Sequence, residues 1–520
     1  MIKKLTNNWK FILILFVLVS LSVGLRLVNL TKIPVFADEA IYIRWSEVMR
    51  AEQTLRFLPL SDGKQPLFMW LVIPFFKIFS DPLFAGRFVS VMSGVGTLLG
   101  IIILSYLLFK NKKVTVIAAL FYVLSPFTFF FDRLALADSL LSMFGIWIFM
   151  FAYLAVNRQR LDFAMLAGFA LGGAWLTKSP ALFFTLMLPT IWLFAPWKKK
   201  LKENLPIFTK TIFFTLVAAA IGYGFYNILR LGPNFHLIAS RNMDYVYPIS
   251  HIFERPFDPL KTFMIASFKW YWVMGPLSLI VFALGNVLLN TKRHWKEIVI
   301  LLFWFLVPLV IQCEFAKTLT ARYILYPLPY LMILAASFFV TKKDLLKKIG
   351  FLFVILFVIQ SSIFVYNLVT NPEKANLPRV ERSGYLEEWT AGQGIKETAD
   401  YLINEEKNNP DEQIVIGTEG YFGTLPDGLQ MYLNSHPKIV VIGVGLNFDK
   451  LPNSLYESKK AGNKTYLLAN TSRYYGDPEE KGLTLISEFP KAEKPDGTHE
   501  SLLLFEVTNV EKIGESSTTD

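Results

Sequence analysis

Two adjacent carboxylates, Asp38 and Glu39, follow the first long hydrophobic run of the chain within about ten residues. Aromatic and aliphatic residues flank them on both sides, from Phe36 to Tyr42. Carboxylates beside a bilayer lose solvation, so an acidic pair in this place indicates a functional site. A carboxylate that takes a proton from an attacking hydroxyl group is a general base. We therefore predict Asp38 as the base, with Glu39 or the more distant Asp138 orienting it.

Basic residues recur in short segments between apolar runs, on the side of the membrane where we place the acids. Such cations can neutralise a phosphate, arginine through two parallel hydrogen bonds and lysine as a point charge. A phosphate that leaves during a reaction gains negative charge, and fixed cations stabilise that charge. The candidate phosphate-binding residues are Lys64, Arg87, Arg133, Lys178, Lys317 and Arg322.

A second group of residues is a candidate for contacts with a sugar or an acceptor: Tyr42, Arg241, Tyr245 and His251. A divalent metal at Asp38, Glu39 and Asp138 has chemical precedent, because Mg²⁺ and Mn²⁺ prefer oxygen ligands. The sequence offers no further obvious ligand near these acids. We therefore expect no required metal and no other cofactor.

The composition distinguishes a membrane protein from a soluble one. Of its 520 residues, 53% are hydrophobic and only 18% are charged, whereas soluble proteins have about 25% charged residues. The chain is therefore predicted to be a polytopic membrane protein. Its net charge of +11 does not indicate nucleic-acid binding, because the basic residues cluster in loops between spans. Cys313 is the single cysteine, which excludes an intramolecular disulfide.

Runs long enough to cross a bilayer predict about eleven transmembrane helices. We place them at 11–30, 84–109, 114–131, 138–157, 162–177, 180–197, 211–230, 263–289, 297–313, 323–340 and 349–369. Lysine and arginine clusters then fall on the side of the N-terminus, which the positive-inside rule makes cytoplasmic. This orientation requires that residues 64–79, broken by Pro74, lie in the outer interface rather than span.

The composition changes after Asn371. Residues 393–408 are typical of an amphipathic helix, and apolar runs at 414–418, 438–444, 465–470, 483–488 and 501–507 predict strands. The predicted organisation is a transmembrane catalytic domain over 1–370, whose first outer loop (31–83) carries interfacial helices. A small extracytoplasmic α/β domain over 371–513 and a disordered tail over 514–520 follow it.

The order of short motifs resembles the GT-C membrane glycosyltransferases. Within that superfamily it is most similar to the protein O-mannosyltransferase and aminoarabinose (lipid A) transferase group. The motifs are Arg26 in the first span, Asp38-Glu39-Ala40-x-Tyr42, Lys64-x-Pro66-Leu67, Gly86-Arg87-Phe88, Arg133-x₄-Asp138, Leu176-Thr177-Lys178-Ser179 and Arg322-Tyr323-x₃-Pro327. The resemblance covers residues 1 to about 370. It implies an inverting transferase with an essential acid at Asp38, donor-phosphate contacts at Lys64, Arg133, Lys178 and Arg322, and a second site acid at Asp138.

The sequence therefore predicts an enzyme of the cytoplasmic membrane that transfers a sugar from a polyprenyl-phosphate donor to an acceptor outside the cell. The acceptor class, which the sequence leaves open, is protein, lipid or glycan. The alternative is a transporter or flippase for the same lipid. Transporters often carry internal repeats and broken helices at the membrane midplane. The sequence has no visible repeat, and its charges gather at one membrane face, which favours the transferase.

Overall fold

The computed structural model describes residues 8–275 and 278–508. The chain is mainly helical, with one small sheet near the C-terminus. Its helices are α1 Trp9–Leu27, α2 Ala37–Ala51, α3 Leu67–Val72, α4 Pro82–Phe109, α5 Lys112–Leu124, α6 Pro126–Phe131, α7 Ala137–Arg158, α8 Leu161–Thr177, α9 Ala181–Met187, α10 Leu205–Tyr226, α11 Leu237–Tyr245, α12 His251–Glu254, α13 Leu260–Met274, α14 Ser278–Phe315, α15 Leu328–Ala336, α16 Asp344–Thr370, α17 Arg379–Arg382, α18 Ile395–Asn408, α19 Asp427–Leu433 and α20 Asn453–Lys460.

Six helical segments of the described chain are long and apolar enough to cross a membrane. They are Trp9–Leu27, Pro82–Phe109, Ala137–Arg158, Lys202–Leu231, Ser278–Phe315 and Asp344–Thr370. Four shorter apolar segments accompany them: Leu67–Lys77, Leu161–Thr177, Ala181–Phe194 and Leu328–Val340. A polytopic helical membrane protein is thus confirmed, and the count of eleven crossings and the orientation stay predictions.

The helical boundaries differ from the predicted spans in the region after residue 260. The expected span 263–289 is divided, because α13 ends at Met274 and α14 begins at Ser278. The long helix α14 contains a non-helical residue, His294, with φ −127° and ψ 38°. That break falls between the two apolar runs predicted at 263–289 and 297–313. The sequence therefore indicated the break correctly but not the helix end at Met274.

The packing divides the chain into two compact units. The first consists of Met1–Leu30, Gln53–Leu71 and Arg87–Pro378, and the second of Thr31–Glu52, Val72–Gly86 and Arg379–Asp520. The sequence had grouped the whole first outer loop with residues 1–370, and that domain division stays a prediction. The predicted tail 514–520 and the predicted domain end at 509–513 lie outside the described residues.

In the first unit, a buried ion pair joins the end of α1 to the segment after α6. The guanidinium Nε of Arg26 lies 3.0 Å from Oδ2 of Asp132, and neither side chain is exposed to solvent. Arg26 also donates to Ser22 Oγ at 3.0 Å and to the carbonyl of Val123 at 3.2 Å. The hydroxyl of Tyr122 donates to the same carboxylate at 3.0 Å. The pair is therefore embedded in a hydrogen-bond network, which is how buried charges are tolerated.

In the second unit, five strands form one sheet: β1 Ile414–Glu419, β2 Ile439–Gly445, β3 Lys464–Asn470, β4 Leu483–Pro490 and β5 Ser501–Val507. The strand order is β2-β1-β3-β5-β4. β1 pairs in parallel with β2 and β3, and β5 pairs antiparallel with β3 and β4. The strands and the helix α18 lie where the apolar runs predicted them.

The helix α2 belongs to the same unit as this sheet. The amide of Ala37 donates to the carbonyl of Thr390 at 3.2 Å, and the amide of Gly392 donates to the carbonyl of Val35 at 2.8 Å. Further along α2, Arg44 Nη1 donates to Asn434 Oδ1 at 2.6 Å. The residues around the acidic pair are therefore held by the C-terminal α/β unit.

Replacing Asp132 with alanine is expected to destabilise the protein by about 3–5 kcal/mol, because Arg26 then remains buried without its counter-ion. Denaturant unfolding of the detergent-solubilised protein measures this loss. The exposed pair of Arg160 and Asp162 is the matched control, for which Asp162→Ala should leave the stability almost unchanged. Equal losses for the two variants would contradict the buried-pair explanation.

Candidate functional site

One hydroxyl group joins three distant segments of the first unit. Ser179 Oγ accepts a hydrogen bond from Gln65 Nε2 at 2.9 Å and another from Asn242 Nδ2 at 3.3 Å. Each residue of this trio directly follows a cationic residue in the sequence. The three hydrogen-bonded segments therefore bring together Lys64, Lys178 and Arg241.

Two of these cations share the carboxylate of Asp62. Lys64 Nζ lies 3.2 Å from Oδ2, and Arg241 Nη2 lies 2.5 Å from Oδ1. Arg241 also pairs with Asp244 at 2.9 Å. The hydrogen bond and the charge of Asp62 raise the pKa of Arg241 above its usual value. The side chains of Lys64 and Arg241 are 24% and 41% exposed, so both can still be reached by a ligand.

The turn that carries Asp62 and Lys64 contains a glycine at the point of closest approach to α11. Gly63 has φ +65°, a left-handed conformation that glycine adopts without steric cost. A Cβ atom there would lie 2.6 Å from Cβ of Arg241 and 2.8 Å from the carbonyl oxygen of Leu237. The missing side chain therefore allows the turn to pack directly against the helix that carries Arg241.

The second part of the site surrounds Tyr323. Lys178, which follows the last residue of α8, places Nζ 2.6 Å from Asp138 Oδ1 in the first turn of α7. The same Nζ lies 4.3 Å from the centroid of the Tyr323 ring, and Cζ of Arg322 lies 5.2 Å from it. The ring face attracts both cations electrostatically. The structure thus brings together three residues that the sequence had singled out: Asp138, Lys178 and Arg322.

Lys317 fixes the loop after α14 against the last turn of α11. Its Nζ donates to the carbonyl of Met243 at 2.6 Å, and its amide donates to the carbonyl of Tyr245 at 2.8 Å. Nζ also lies 5.6 Å from the ring of Tyr247, which stacks on His251 at 4.0 Å between centroids.

We call Lys64, Lys178, Arg241, Lys317 and Arg322 the cationic cluster.

The remaining two arginines of the predicted phosphate set have different surroundings. Arg133 is fully buried, and its guanidinium donates four hydrogen bonds of 2.8–3.2 Å to the carbonyls of Leu25, Arg26, Val28 and Asn29. Arg87 is also fully buried and donates to the carbonyl of Leu30 at 2.8 Å. Arg133 satisfies carbonyls in the last turn of α1, where cations stabilise a helix, and Arg87 bonds to the segment that follows α1. Asp138, five residues after Arg133, pairs with Lys178 instead.

The acidic pair itself lies in the first turn of α2, in the second unit. Glu39 is fully buried, and its Oε2 accepts a hydrogen bond from the amide of Phe36 at 3.0 Å, as in a capping box. Burial raises the pKa of Glu47, further along α2, to about 8, and Arg44 Nη1 pairs with its Oε2 at 3.2 Å. The Asp38 side chain is half-buried. Tyr42 is buried and stacks on Trp45, with 6.3 Å between ring centroids.

Several residues of the site were missed by the sequence reasoning. Ser179 and Tyr323 were quoted only as parts of motifs, and Asp62, Gln65 and Asn242 were not singled out. Each is adjacent to a chosen cation or two residues from it, so their proximity in the chain was the available signal. Arg241, assigned to acceptor or sugar contacts, lies beside Lys64 through Asp62. No group of three metal-ligating side chains was found among the described residues, and metal independence stays a prediction.

A family model matches part of the chain. Residues 63–223 match the family described as dolichyl-phosphate-mannose-protein mannosyltransferase. The match includes Lys64, Asp138 and Lys178 of the site. No curated protein sequence matches the chain.

Solved structures match over nearly the whole length. The chain is similar to ArnT from Cupriavidus metallidurans in the apo state, with a TM-score of 0.57, 13% identity and coverage of 98% of this chain and 99% of that one. The same enzyme bound to undecaprenyl phosphate gives a TM-score of 0.54 at 13% identity, with coverage of 96% and 98%. The apo oligosaccharyltransferase of Archaeoglobus fulgidus gives 0.50 at 13% identity, with coverage of 95% and 74%.

The chain therefore shares the fold of ArnT and of the Archaeoglobus fulgidus oligosaccharyltransferase, which is the fold of GT-C membrane glycosyltransferases. Within it, the family-model match is to the protein mannosyltransferases and the full-length match is to ArnT. The resemblance predicted from the order of short motifs is therefore confirmed.

Replacing Gly63 with alanine is expected to destabilise the protein by about 1–3 kcal/mol, because alanine is strained at positive φ and its Cβ would clash with Arg241. Thermal unfolding of the detergent-solubilised protein measures the change. Gly24→Ala is the matched control, since a Cβ there meets no atom within 4 Å and alanine favours a helix interior. A stability loss in the control as large as that of Gly63→Ala would argue against the close approach as the cause.

Proposed function

We propose that the protein is an integral membrane glycosyltransferase that moves a sugar from a polyprenyl-phosphate donor to an extracytoplasmic acceptor, with inversion at the anomeric carbon. The observation that carries the proposal is the cationic cluster gathered by the hydrogen bonds to Ser179. The GT-C fold and the undecaprenyl phosphate bound to ArnT of Cupriavidus metallidurans support it.

The ion pairs of the cluster suit a leaving phosphate. The carboxylates of Asp62, Asp138 and Asp244 pair with Lys64, Lys178 and Arg241. A donor phosphodiester carries one negative charge, and the released phosphate monoester carries up to two. Cations fixed in place stabilise the developing charge more than the ground state, which is the requirement for catalysis.

The carboxylates within the cluster keep its cations in position before the donor binds. Asp62 orients Lys64 and Arg241, and Asp138 orients Lys178. Because these side chains are already ordered, binding a phosphate costs little further conformational entropy. We infer that Lys64, Lys178 and Arg241 make the principal phosphate contacts, and that Lys317 and Arg322 complete the positive surface.

We assign the general base to Asp38 by comparing the three carboxyl groups of α2. Glu39 accepts a hydrogen bond from the amide of Phe36 at its own helix terminus, and Glu47 is buried and paired with Arg44 at 3.2 Å. Asp38 is the half-buried one of the three. It would take the proton of the acceptor hydroxyl as that oxygen attacks the anomeric carbon, while the C–O bond to the phosphate breaks and the electron pair leaves with the phosphate.

The membrane side follows from the positive-inside rule. Clusters such as Lys198–Lys200 and Lys342–Lys343 are assigned to the cytoplasm, so the cationic cluster and the C-terminal α/β unit are assigned to the outer side. The proposal therefore includes the cytoplasmic membrane as the location. The acceptor class remains protein, lipid or glycan.

Asp38→Asn is expected to lower the rate of sugar transfer about 10²–10⁴-fold, because the amide cannot accept the proton. The assay is mass spectrometry of lipid phosphate released from a panel of polyprenyl-phosphate sugars by the purified protein. Asp400→Asn, a change at an exposed carboxylate of α18, is the control and should leave the rate unchanged.

Normal turnover by Asp38→Asn, with its fold intact by thermal unfolding, would refute the base assignment. Movement of labelled lipid across liposome membranes without any sugar transfer by the wild-type protein would refute the transferase and support the flippase alternative.

Lys64→Ala and Lys178→Ala are each expected to weaken the binding of undecaprenyl phosphate about 10–100-fold, since each removes a charged hydrogen bond of about 1.5–3 kcal/mol. Equilibrium binding to the detergent-solubilised protein measures the effect, which should shrink at high salt. Lys199→Ala, on an exposed residue outside the cluster, is the control. Wild-type affinity in both cluster variants would contradict the proposed phosphate site.

A further inference from the structure

A cavity of about 620 Å³ opens beside the first residues of α1. Its volume falls within the range of about 300–1,000 Å³ that small-molecule sites occupy. Three lysines line it, Lys10, Lys112 and Lys113, together with apolar side chains from α1, α5 and α16 that include Trp9, Phe11 and Phe351. None of the residues that line it is acidic.

The cavity lies at the opposite end of the membrane helices from the cationic cluster. The cavity is beside the first residues of α1, and the last turn of α1 carries Arg26, which pairs with Asp132. Asp138, which follows Asp132 in the chain, pairs with Lys178 of the cationic cluster. The 19 residues of α1 extend about 28 Å, close to the thickness of the hydrocarbon core. The cavity is therefore separate from the proposed phosphate site.

The lining combines cations with aromatic rings in the way that a lipid headgroup site requires. Lys112 Nζ lies 5.6 Å from the ring of Phe11 and hydrogen-bonds the side chain of Asn8. Lys10 Nζ lies 5.7 Å from the ring of Trp9. Trp9 is 56% exposed and Ile14 is 46% exposed, so apolar surface continues from the cavity along the outside of α1.

We propose that this cavity binds an anionic phospholipid of the adjoining leaflet, with its phosphate at the three lysines and its acyl chains along α1. Two features favour a lipid over a free anion. The cationic end is continuous with an exposed apolar helix face, and the site lies where the helices enter the bilayer. Basic pockets between membrane helices on the cytoplasmic side bind anionic headgroups in this way. This proposal is independent of the transferase reaction.

The binding is tested by native mass spectrometry of the full-length, detergent-purified protein titrated with phosphatidylglycerol or with phosphatidylcholine of the same acyl chains. Phosphatidylglycerol is expected to bind at least about tenfold more tightly. Equal affinities would overturn the proposal. Displacement of phosphatidylglycerol by a modest excess of inorganic phosphate would also overturn it, because the site would then recognise a free anion.

Variants locate the site. Lys112→Ala with Lys113→Ala is expected to weaken phosphatidylglycerol binding about 25-fold, at about fivefold for each lysine near the membrane surface, whereas Lys112→Arg with Lys113→Arg should retain most of it. The control is Lys199→Ala with Lys200→Ala, two exposed lysines that do not line the cavity.

Val116→Trp fills the cavity and keeps all three lysines, so it should also lower the affinity. Unchanged binding by either the double alanine variant or Val116→Trp would overturn the assignment. So would an equal loss in the Lys199/Lys200 control. Thermal unfolding of each variant confirms that the fold is intact.

Discussion

The hydroxyl of Ser179 is the contact on which the geometry of the candidate site depends. It accepts hydrogen bonds from Gln65 and Asn242, residues 114 and 63 positions away along the chain. Three cations repel one another, and side-chain entropy opposes their ordering. The hydrogen bonds are formed by residues adjacent to the cations, so the protein fixes the backbone and leaves the charged groups partly accessible. Asp62 then offsets the repulsion between Lys64 and Arg241.

The arginines around the end of the first helix stabilise the fold and, unlike the cationic cluster, are not accessible to a ligand. Arg26, Arg87 and Arg133 are fully buried, and carbonyl or carboxylate oxygens of the protein accept their hydrogen bonds. These side chains hold the end of α1 against neighbouring segments. The members of the cationic cluster are partly exposed, in contrast, and carry cation–π or ion-pair contacts at the surface. Burial therefore separates the cations that build the fold from those available to a ligand.

Much of the fold was predictable because its signals are local. Apolar run lengths predicted a mainly helical membrane protein, and the apolar runs after Asn371 located the five strands near their observed limits. The division of 263–289 into two helices was missed, although Gly275 directly follows Met274 and Pro276 comes next, a pair that is typical of a helix end. The packing of residues 31–52 with the C-terminal unit was also missed. That contact depends on backbone hydrogen bonds, such as Ala37 to Thr390, which side-chain type does not encode.

The sequence suggested which residues belong to the candidate site, but not which of their side chains contact one another. The sequence selected Lys64, Lys178, Lys317, Arg322 and Asp138, because charged residues in short apolar-flanked segments are costly unless they act. It did not reveal that Asp138 pairs with Lys178, that Arg241 joins Lys64, or that Arg87 and Arg133 bond to carbonyls of α1. Choosing among several partners for one charge requires distances, and a single sequence contains none.

The most direct test of the account is a cryo-electron microscopy structure of the full-length protein with undecaprenyl phosphate. We expect phosphate oxygens within about 3.2 Å of Lys64 Nζ and of the Arg241 guanidinium, with Lys178 on the same phosphate. A structure in which no lipid phosphate contacts Lys64, Lys178 or Arg241, although undecaprenyl phosphate is bound elsewhere on the protein, would contradict the account.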